Sequence, residues 1–593
     1  MNLKNLISVA RGETPASLLL KNARIINTFV GEIEQGNVAI WGDRIAGIGD
    51  YDKAREIIDL QGNYLAPGLI NGHTHIESSM LHPARYAQAV VPRGTLTVVT
   101  DLHEIANVCG LKGIKFVMDW AQKLPLDMLF MAPSCVPATT LETSGAQIGT
   151  EEVKGLLTPP NVIGLGEVMN FPGVLSGDEE VLSKIIASQG SVIDGHAPGL
   201  KDKELNAYIA AGIFSDHECT MVEEGREKLK KGMYLMIREG SSEKNLAALL
   251  PLVTDNTYKR CFFVVDDRSC SDLLHEGDID WVVRKAISKG LEPIRALQMA
   301  TINAAEYFRL YDRGAIAPGY LANLVTITDL SKLEIDMVFY KGKLVARQGS
   351  PLFSLPQLKV NSYQLAANTV RIKPLTTELL SLRVLRFPCH SEPSEESHRS
   401  GQAPQSNLTE EAFPVIEIVP GQIVTEKRVE KVKVVAGMIV PDLEKDILKL
   451  VVVERHKASG NIGLGLVKGF GLKQGALASS VAHDSHNIIV VGANDFDILK
   501  AVEEITRLQG GLVACANHKV LASLPLPVAG LLSPEPLEVV VAQFEQLEKA
   551  AASLGNLPPA PFSILSFLAL PVIPKLRLTD LGLVDVTAFK LIK

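Results

Sequence analysis

With 593 residues, the chain far exceeds what one hydrophobic core organises, so two or three domains are expected. Its 46% hydrophobic and 21% charged residues exclude a disordered or fibrous class. A formal net charge of -8 and an isoelectric point near 6.0 exclude a general phosphate-backbone binder, which needs clustered excess Lys and Arg; no nucleic acid partner is expected, and a small neutral substrate fits better.

Residues 1–11 lack the apolar stretch of a signal peptide, and no uninterrupted apolar run approaches the roughly 20 residues that cross a bilayer. The seven cysteines are scattered, odd in number and without CxxC pairs, as suits a reducing compartment. A soluble cytoplasmic protein with no membrane partner is the expectation.

Residues 18–26 and 37–48 read as strands, broken by Gly31, Gly36, Gly42 and Gly62, and form a small β unit over 1–65. From residue 64 short apolar runs alternate with amphipathic stretches of helical length. The runs are 64–70, 96–100, 128–133, 162–166, 191–194, 212–215, 233–237 and 261–265. Eight strand–helix units over roughly 250 residues match a complete (β/α)8 barrel, here 66–313, whose reactive groups sit at the C-terminal strand ends. Residues 314–375 return to short strands and complete the small β unit as one discontinuous domain. The polar stretch 383–412, containing CHSEPSEESHRSGQAPQS, reads as a flexible linker or insertion. Residues 413–593 regain strand and helix patterns. The expected fold class is thus α/β: a (β/α)8 barrel with a small discontinuous β domain and a separate C-terminal α+β domain.

The strongest local signal is PGLINGHTH at 67–75. In an extended segment residues i and i+2 point to one side, so His73 and His75 both aim into the barrel mouth. An HxH alone is a weak motif. Its weight comes from the other candidates: Glu167 follows the run 162–166, His196 follows 191–194, His217 follows 212–215, and Asp266 closes 261–265. A barrel gathers those strand ends into one ring.

Three His or carboxylate ligands with an open position suit a catalytic zinc, whereas six ligands with a shared carboxylate suit two adjacent cations. His73, His75 and Asp266 are assigned to one divalent metal ion, His196 and His217 to the other, and Glu167 bridges them. Such a pair lowers the pKa of a shared water towards neutrality. Asp266 is placed to accept its proton and return it to the leaving group, with Asp267 as the fallback. Glu77, just after the HxH, and Glu104, near the second strand end, are alternative proton donors to a ring nitrogen. His103, beside Glu104, and Asp267 are the remaining candidates for substrate contact or ligand support. In the C-terminal domain His483, Asp484 and His486 form either another metal or substrate site or a structural group. The Gly-rich run 460–475 lacks the Lys-Ser/Thr ending of a P-loop and reads as turns.

PGLINGHTH and RGAIAPG (313–319) resemble the amidohydrolase superfamily. Other motifs are similar, more narrowly, to the adenine deaminase family: HTHIESSM (73–80), DLHEIANVCG (101–110), GLGEVMNFPGV (164–174), DGHAPGL (194–200), SDHE (215–218) and IREGS (237–241). In the last domain GNIGLGLVKGFGL (460–472) and ASSVAHDSHNIIVVGAND (478–495) extend that likeness. The resemblance implies hydrolysis of adenine to hypoxanthine and ammonia, with water adding to C6. It also implies two divalent metal ions, manganese first, with iron or zinc as alternatives, and a homodimer. A carboxylate rather than a carbamylatable lysine on the fourth strand sets the chain apart from the dihydroorotase and hydantoinase branch.

Three departures bear on substrate fit and loop contacts rather than on the six ligands. Ser269-Cys270 and Asp278 stand where the family often has His, and Asn323 where the superfamily commonly has Asp. Two other readings share the motifs: a different amidohydrolase, such as an N-acyl deacetylase or cyclic amidase, and a catalytically silent scaffold that retains the barrel.

Overall fold

The computed structural model of the chain describes residues 2–356, 358, 360–383, 408–420 and 422–592. The chain divides into two compact units, one of 1–136, 146–366 and 532–541, the other of 137–145, 367–531 and 542–593. Among the described residues no helix is long and apolar enough to cross a membrane.

In the first unit, strands from both sequence flanks enter one nine-stranded sheet. They meet at Tyr64–Pro67, where Ala66 lies opposite Val325 in an antiparallel pair and Tyr64 opposite Arg24 in a parallel one. Alternate residues of these strands, among them Leu18, Leu20, Val38, Ile40, Leu65, Leu324 and Phe339, turn into one apolar core, the period-two pattern of a sheet with one buried face. The stretch 37–48, with the break at Gly42 noted above, falls on two strands, Glu32–Trp41 and Arg44–Gly49. Gly42 takes φ +64 in the turn between them, a left-handed conformation that costs glycine nothing and brings Trp41 opposite Arg44.

The rest of this unit alternates parallel strands with helices. Leu69–Thr74, Thr95–Asp101, Asp127–Ala132, Val162–Val168 and Val192–Gly195 lie side by side in chain order. Ser215–Asp216, Tyr234–Arg238 and Cys261–Val264 form a second parallel sheet. Leu69–Thr74 and Thr95–Asp101 are buried along their whole length, as parallel strands covered on both faces are. The two sheets meet at one edge, where the amide of Asp266 donates to His73 O at 3.0 Å and that of His75 to Asp266 O at 3.2 Å. Ile70, Val99, Met131, Val192, Met236, Phe262 and Val264, drawn from both sheets, share one core with Phe308. A helix such as Val222–Lys230 follows from its charge order, with Glu223 and Glu224 in the first turn and Lys228 and Lys230 in the last, which complements the helix dipole.

The second unit is built on a ten-stranded sheet. Helix Asp495–Leu508 is capped by Asn494, whose Oδ1 accepts the amide of Asp497 at 2.9 Å. Its Ile498, Val502 and Ile505 pack with Val451, Val490 and Val513 of the sheet. Leu408–Ile418 pairs along its full length with Thr425–Val435, so a strand begins inside the stretch read above as linker. Backbone pairing needs no apolar side chains, which is why the polar letters at 409–411 conceal it. Residues 384–407 of that stretch lie outside the described residues.

Candidate metal centre

His73 lies in strand Leu69–Thr74 and His75 one residue past its end; Glu167 lies in strand Val162–Val168. His196, His217 and Asp266 each follow the end of a parallel strand. All six come together. Glu167 Oε1 is 3.1 Å from His75 Nε2 and 3.9 Å from His73 Nε2, while its Oε2 is 2.7 Å from His196 Nδ1 and 3.3 Å from His217 Nε2. Asp266 Oδ1 is 3.3 Å from His73 Nε2 and 3.2 Å from His75 Nε2. The rings of His73 and His217 stack with centroids 4.3 Å apart.

These groups perturb one another. Burial opposes the charge on Glu167, yet His196, His217 and His75 hold its carboxyl well below the ordinary range. For Asp266 burial is likewise overcome, by His73, His75 and Arg238. His75 is pushed well above its ordinary value by Asp266 and Glu167 against the cost of burial, whereas burial and the charge of His217 lower His73. A cluster of buried imidazoles and carboxylates that competes for protons in this way is also one that a cation can neutralise.

The residues fit a divalent metal ion on their own chemistry. Among the described residues both ring nitrogens of His73 and Nδ1 of His217 are buried with no partner in hydrogen-bonding geometry, which an isolated protein network leaves unexplained. His73, His75 and Asp266 offer donor atoms within 4.8 Å of one another, as do His73, Glu167 and His217. His75 Nδ1 is 3.1 Å from Asp101 O, so a proton on that nitrogen leaves Nε2 as the ligating atom. Asp266 holds φ +57, a left-handed backbone uncommon away from glycine and concentrated at functional sites.

The acid–base candidates separate. Glu77 is buried and its Oε1 accepts the amide of Ile105 at 3.2 Å; burial, then the charge of Glu104, pushes its pKa up to about 7. Glu104 is also buried. His103 stands against the cluster, its ring centroid 4.7 Å from that of His75 and its Nδ1 3.8 Å from Glu167 Oε1. Asp267 is taken up by the hydroxyl of Ser78. In the second unit His483 and His486 lie on the loop between Ala476–Ser479 and Ile488–Gly492 rather than on a helix, where His483 stacks on Phe567 with centroids 4.5 Å apart.

Sequence reasoning passed over several residues. Glu218 Oε1 lies 3.4 Å from His217 Nε2 and 3.8 Å from His196 Nδ1. Arg238 Nη1 lies 2.8 Å from Asp266 Oδ2. Asp101 Oδ2 accepts the amide of Glu167 at 3.1 Å, and Tyr208 Oη accepts the amide of His196 at 2.9 Å. Glu218 and Arg238 stand in the motifs SDHE and IREGS, at strand ends, which was the signal available for them.

Residues 64–345 match the amidohydrolase family and residues 422–590 the adenine deaminase C-terminal domain. Over 100% of its length the chain is 58% identical to the adenine deaminase of Dehalococcoides mccartyi, of which it covers 99%. The chain belongs to the adenine deaminase family. It is 49% identical to adenine deaminase 2 of Carboxydothermus hydrogenoformans, with 100% of this chain and 99% of that one aligned. Among solved structures, a β-aspartyl dipeptidase from Fervidobacterium islandicum AW-1 is similar at 18% identity and a TM-score of 0.46, with 57% of this chain and 99% of that one covered.

The departures from the family and superfamily patterns carry contacts of their own. Ser269 caps helix Cys270–His275 by accepting the amide of Asp272 at 3.1 Å. Asp278 accepts from Asn71 Nδ2 at 3.1 Å and from Thr95 Oγ1 at 2.9 Å. Asn323 donates to Asp127 Oδ2 at 3.1 Å and accepts the amide of Lys341 at 2.9 Å.

Proposed function

We propose that the chain hydrolyses adenine to hypoxanthine and ammonia at a centre of two divalent cations, manganese foremost. The observation that carries this reading is Glu167, with one carboxylate oxygen 3.1 Å from His75 and the other 2.7 Å from His196, the placement of a ligand shared by two ions. The name borne by the full-length relatives supplies the substrate.

His73, His75 and Asp266 would hold one cation, His196 and His217 the other, with Glu167 placed to reach both. The eight parallel strands close as a (β/α)8 barrel, a reading supported by the hydrogen bonds between His73 and Asp266 at one seam and by the amide of Gly195 donating to Ser215 Oγ at 3.1 Å at the other. When bound, the ion pair supplies Lewis-acid polarisation and a water acidified towards neutral pH.

The chain's own residues handle the protons. Asp266 takes the proton of the attacking water as its oxygen adds to C6 of the purine. Glu77, with Glu104 beside it, gives a proton to N1, so the ring accepts the electron pair without building up negative charge. Asp266 then passes its proton to the exocyclic amine, the C6–N bond breaks and ammonia leaves with the bonding pair, while the C6 hydroxyl gives up its remaining proton to form the carbonyl and that proton restores Glu77.

Manganese-loaded protein incubated with adenine tests this: hypoxanthine and ammonia are expected in equal amounts from protein that carries two cations per chain. Protein with both cations that leaves adenine untouched and turns over an N-acyl or cyclic amide overturns it.

A further inference from the structure

We propose that Arg238 is a positioning residue that divides the work of the two Asp266 oxygens, reserving Oδ1 for the metal-and-proton face by clamping Oδ2. The inference rests on the reading of Asp266 as proton acceptor given above.

Arg238 ends strand Tyr234–Arg238, which lies between the strand leading to His217 and Glu218 and the strand leading to Asp266. Its position lets one side chain reach both neighbours. Nη1 donates to Asp266 Oδ2 at 2.8 Å and also to Glu218 Oε1, Nη2 donates to Glu218 Oε2 at 3.2 Å, and Nε to Asn245 Oδ1 at 3.3 Å. Only 3% of the residue is exposed, so these bonds form out of water, where a charge-assisted fork is strong and directional. Asp266 Oδ1 is left facing His73 and His75, and Glu218 Oε1 sits near His217. One guanidinium therefore spans the two halves of the centre.

The geometry asks for arginine in particular. A planar fork can hold Glu218 through two bonds and Asp266 through a third, whereas a lysine ammonium on a flexible stem cannot fix two carboxylate planes together. Without the fork, two buried carboxylates face each other uncompensated, and Asp266, already held at φ +57, loses the contact that sets its rotation. A carboxylate displaced by about 1 Å from its proton is enough to cost about 100-fold in rate. A purely structural ion pair at this position predicts something different, namely loss of stability or of metal in step with activity.

The test uses the full-length, metal-loaded chain with Arg238→Gln and Arg238→Lys. Four readouts apply: cations per chain, thermal midpoint, kcat and KM for adenine, and the crystal structure of the metal-loaded variant. For Arg238→Gln we expect full metal content, KM little changed, kcat lowered about 100-fold, partial recovery of kcat with added guanidinium, and an Asp266 carboxylate rotated from the arrangement described here. Arg238→Lys should fall between this variant and the wild type. Unchanged kcat in Arg238→Gln, or activity lost in proportion to lost cations, overturns the proposal. If Arg238→Gln does not fold, Arg238→Lys decides, with wild-type kcat overturning the proposal and a lowered kcat at full metal content supporting it. An inactive wild type sinks the adenine reading instead, and the orientation of Asp266 in the variant crystal still decides this one.

Discussion

Lys228 Nζ lies 3.0 Å from Asp216 Oδ2, with 1% and 0% of the two side chains exposed. The same ammonium donates to Ala197 O at 2.7 Å and to Glu224 Oε1 at 2.8 Å, and Asp216 Oδ1 accepts the amide of Ala197 at 2.8 Å. Ala197 follows His196 and Asp216 precedes His217, so this buried pair ties together the two backbones that carry the second histidine pair. Burial opposes the charge of Asp216, but Lys228, then His217, hold its pKa down to about 2. Lys228→Met leaves that carboxylate charged and unpaired, an event that costs about 3–5 kcal/mol. A thermal midpoint lowered by several degrees is expected, with less than the wild-type metal content after reconstitution. A variant with unchanged midpoint and metal content would remove the pair from any role in placing His196 and His217.

Glu167→Gln addresses the shared carboxylate. The amide keeps the volume but presents one acceptor and one donor, so it cannot put an anionic oxygen towards both His75 and His196 as Glu167 does. Weaker cation retention is expected, and a rate of adenine turnover lowered on the order of 10²–10³-fold. Metal analysis after dialysis, run beside the rate, checks it; normal metal content with near-normal turnover removes the bridging role.

Asp278 offers a prediction about stability and pH. Burial pushes its pKa up to about 6, with Asp280 adding to the rise and the hydroxyl of Thr95 opposing it. A carboxyl whose folded pKa is raised binds its proton more tightly in the folded state, so its contribution is complete below the unfolded value near 3.8 and is lost as pH climbs through about 6. Asp278→Asn removes this term, and its Oδ1 can still accept from Asn71. The stability of the variant relative to wild type should therefore rise between pH 4 and pH 7, on the order of 2–3 kcal/mol across that window. Denaturant midpoints at several pH values measure it, and a difference that is flat with pH refutes the buried charge.

Much of the centre was legible because strand ends are readable. An apolar run stops, and the polar residue there has no reason to be polar unless it faces a site; Glu167, His196, His217 and Asp266 all announced themselves this way, and all meet His73 and His75. Arg238 and Glu218 stand at strand ends as well, but what they do there was not legible, because their part depends on the reach of one side chain across adjacent strands, and spacing along the chain carries no such distance. Asp101 was hidden for another reason: it acts on backbone, through the amides of Glu167 and His103. The same limit hid the strand that starts at Leu408, whose pairing is a property of the main chain. The break at Gly42 was legible from the glycine itself, although a two-residue turn leaves the apolar pattern on either side almost unbroken.

Gly166 shows how closely the centre is fitted to its support. A Cβ added there would lie 1.8 Å from Asp101 Oδ2, so the carboxylate occupies the space that any other residue would fill. That carboxylate accepts the amide of Glu167 at 3.1 Å and the amide of His103 at 3.1 Å, and the carbonyl of Asp101 lies 3.1 Å from His75 Nδ1. Gly166→Ala must displace either Asp101 or the strand that bears Glu167. In ordinary core positions such overpacking costs about 1–3 kcal/mol, which a chain of this size tolerates. The site does not have that margin, because a shift of about 1 Å in Glu167 or His75 is enough to lose about 100-fold in rate. Turnover should thus fall by far more than the thermal midpoint suggests. If the variant retains wild-type kcat with two cations per chain, Asp101 yields without moving its partners, and it does not set the positions of Glu167 and His75.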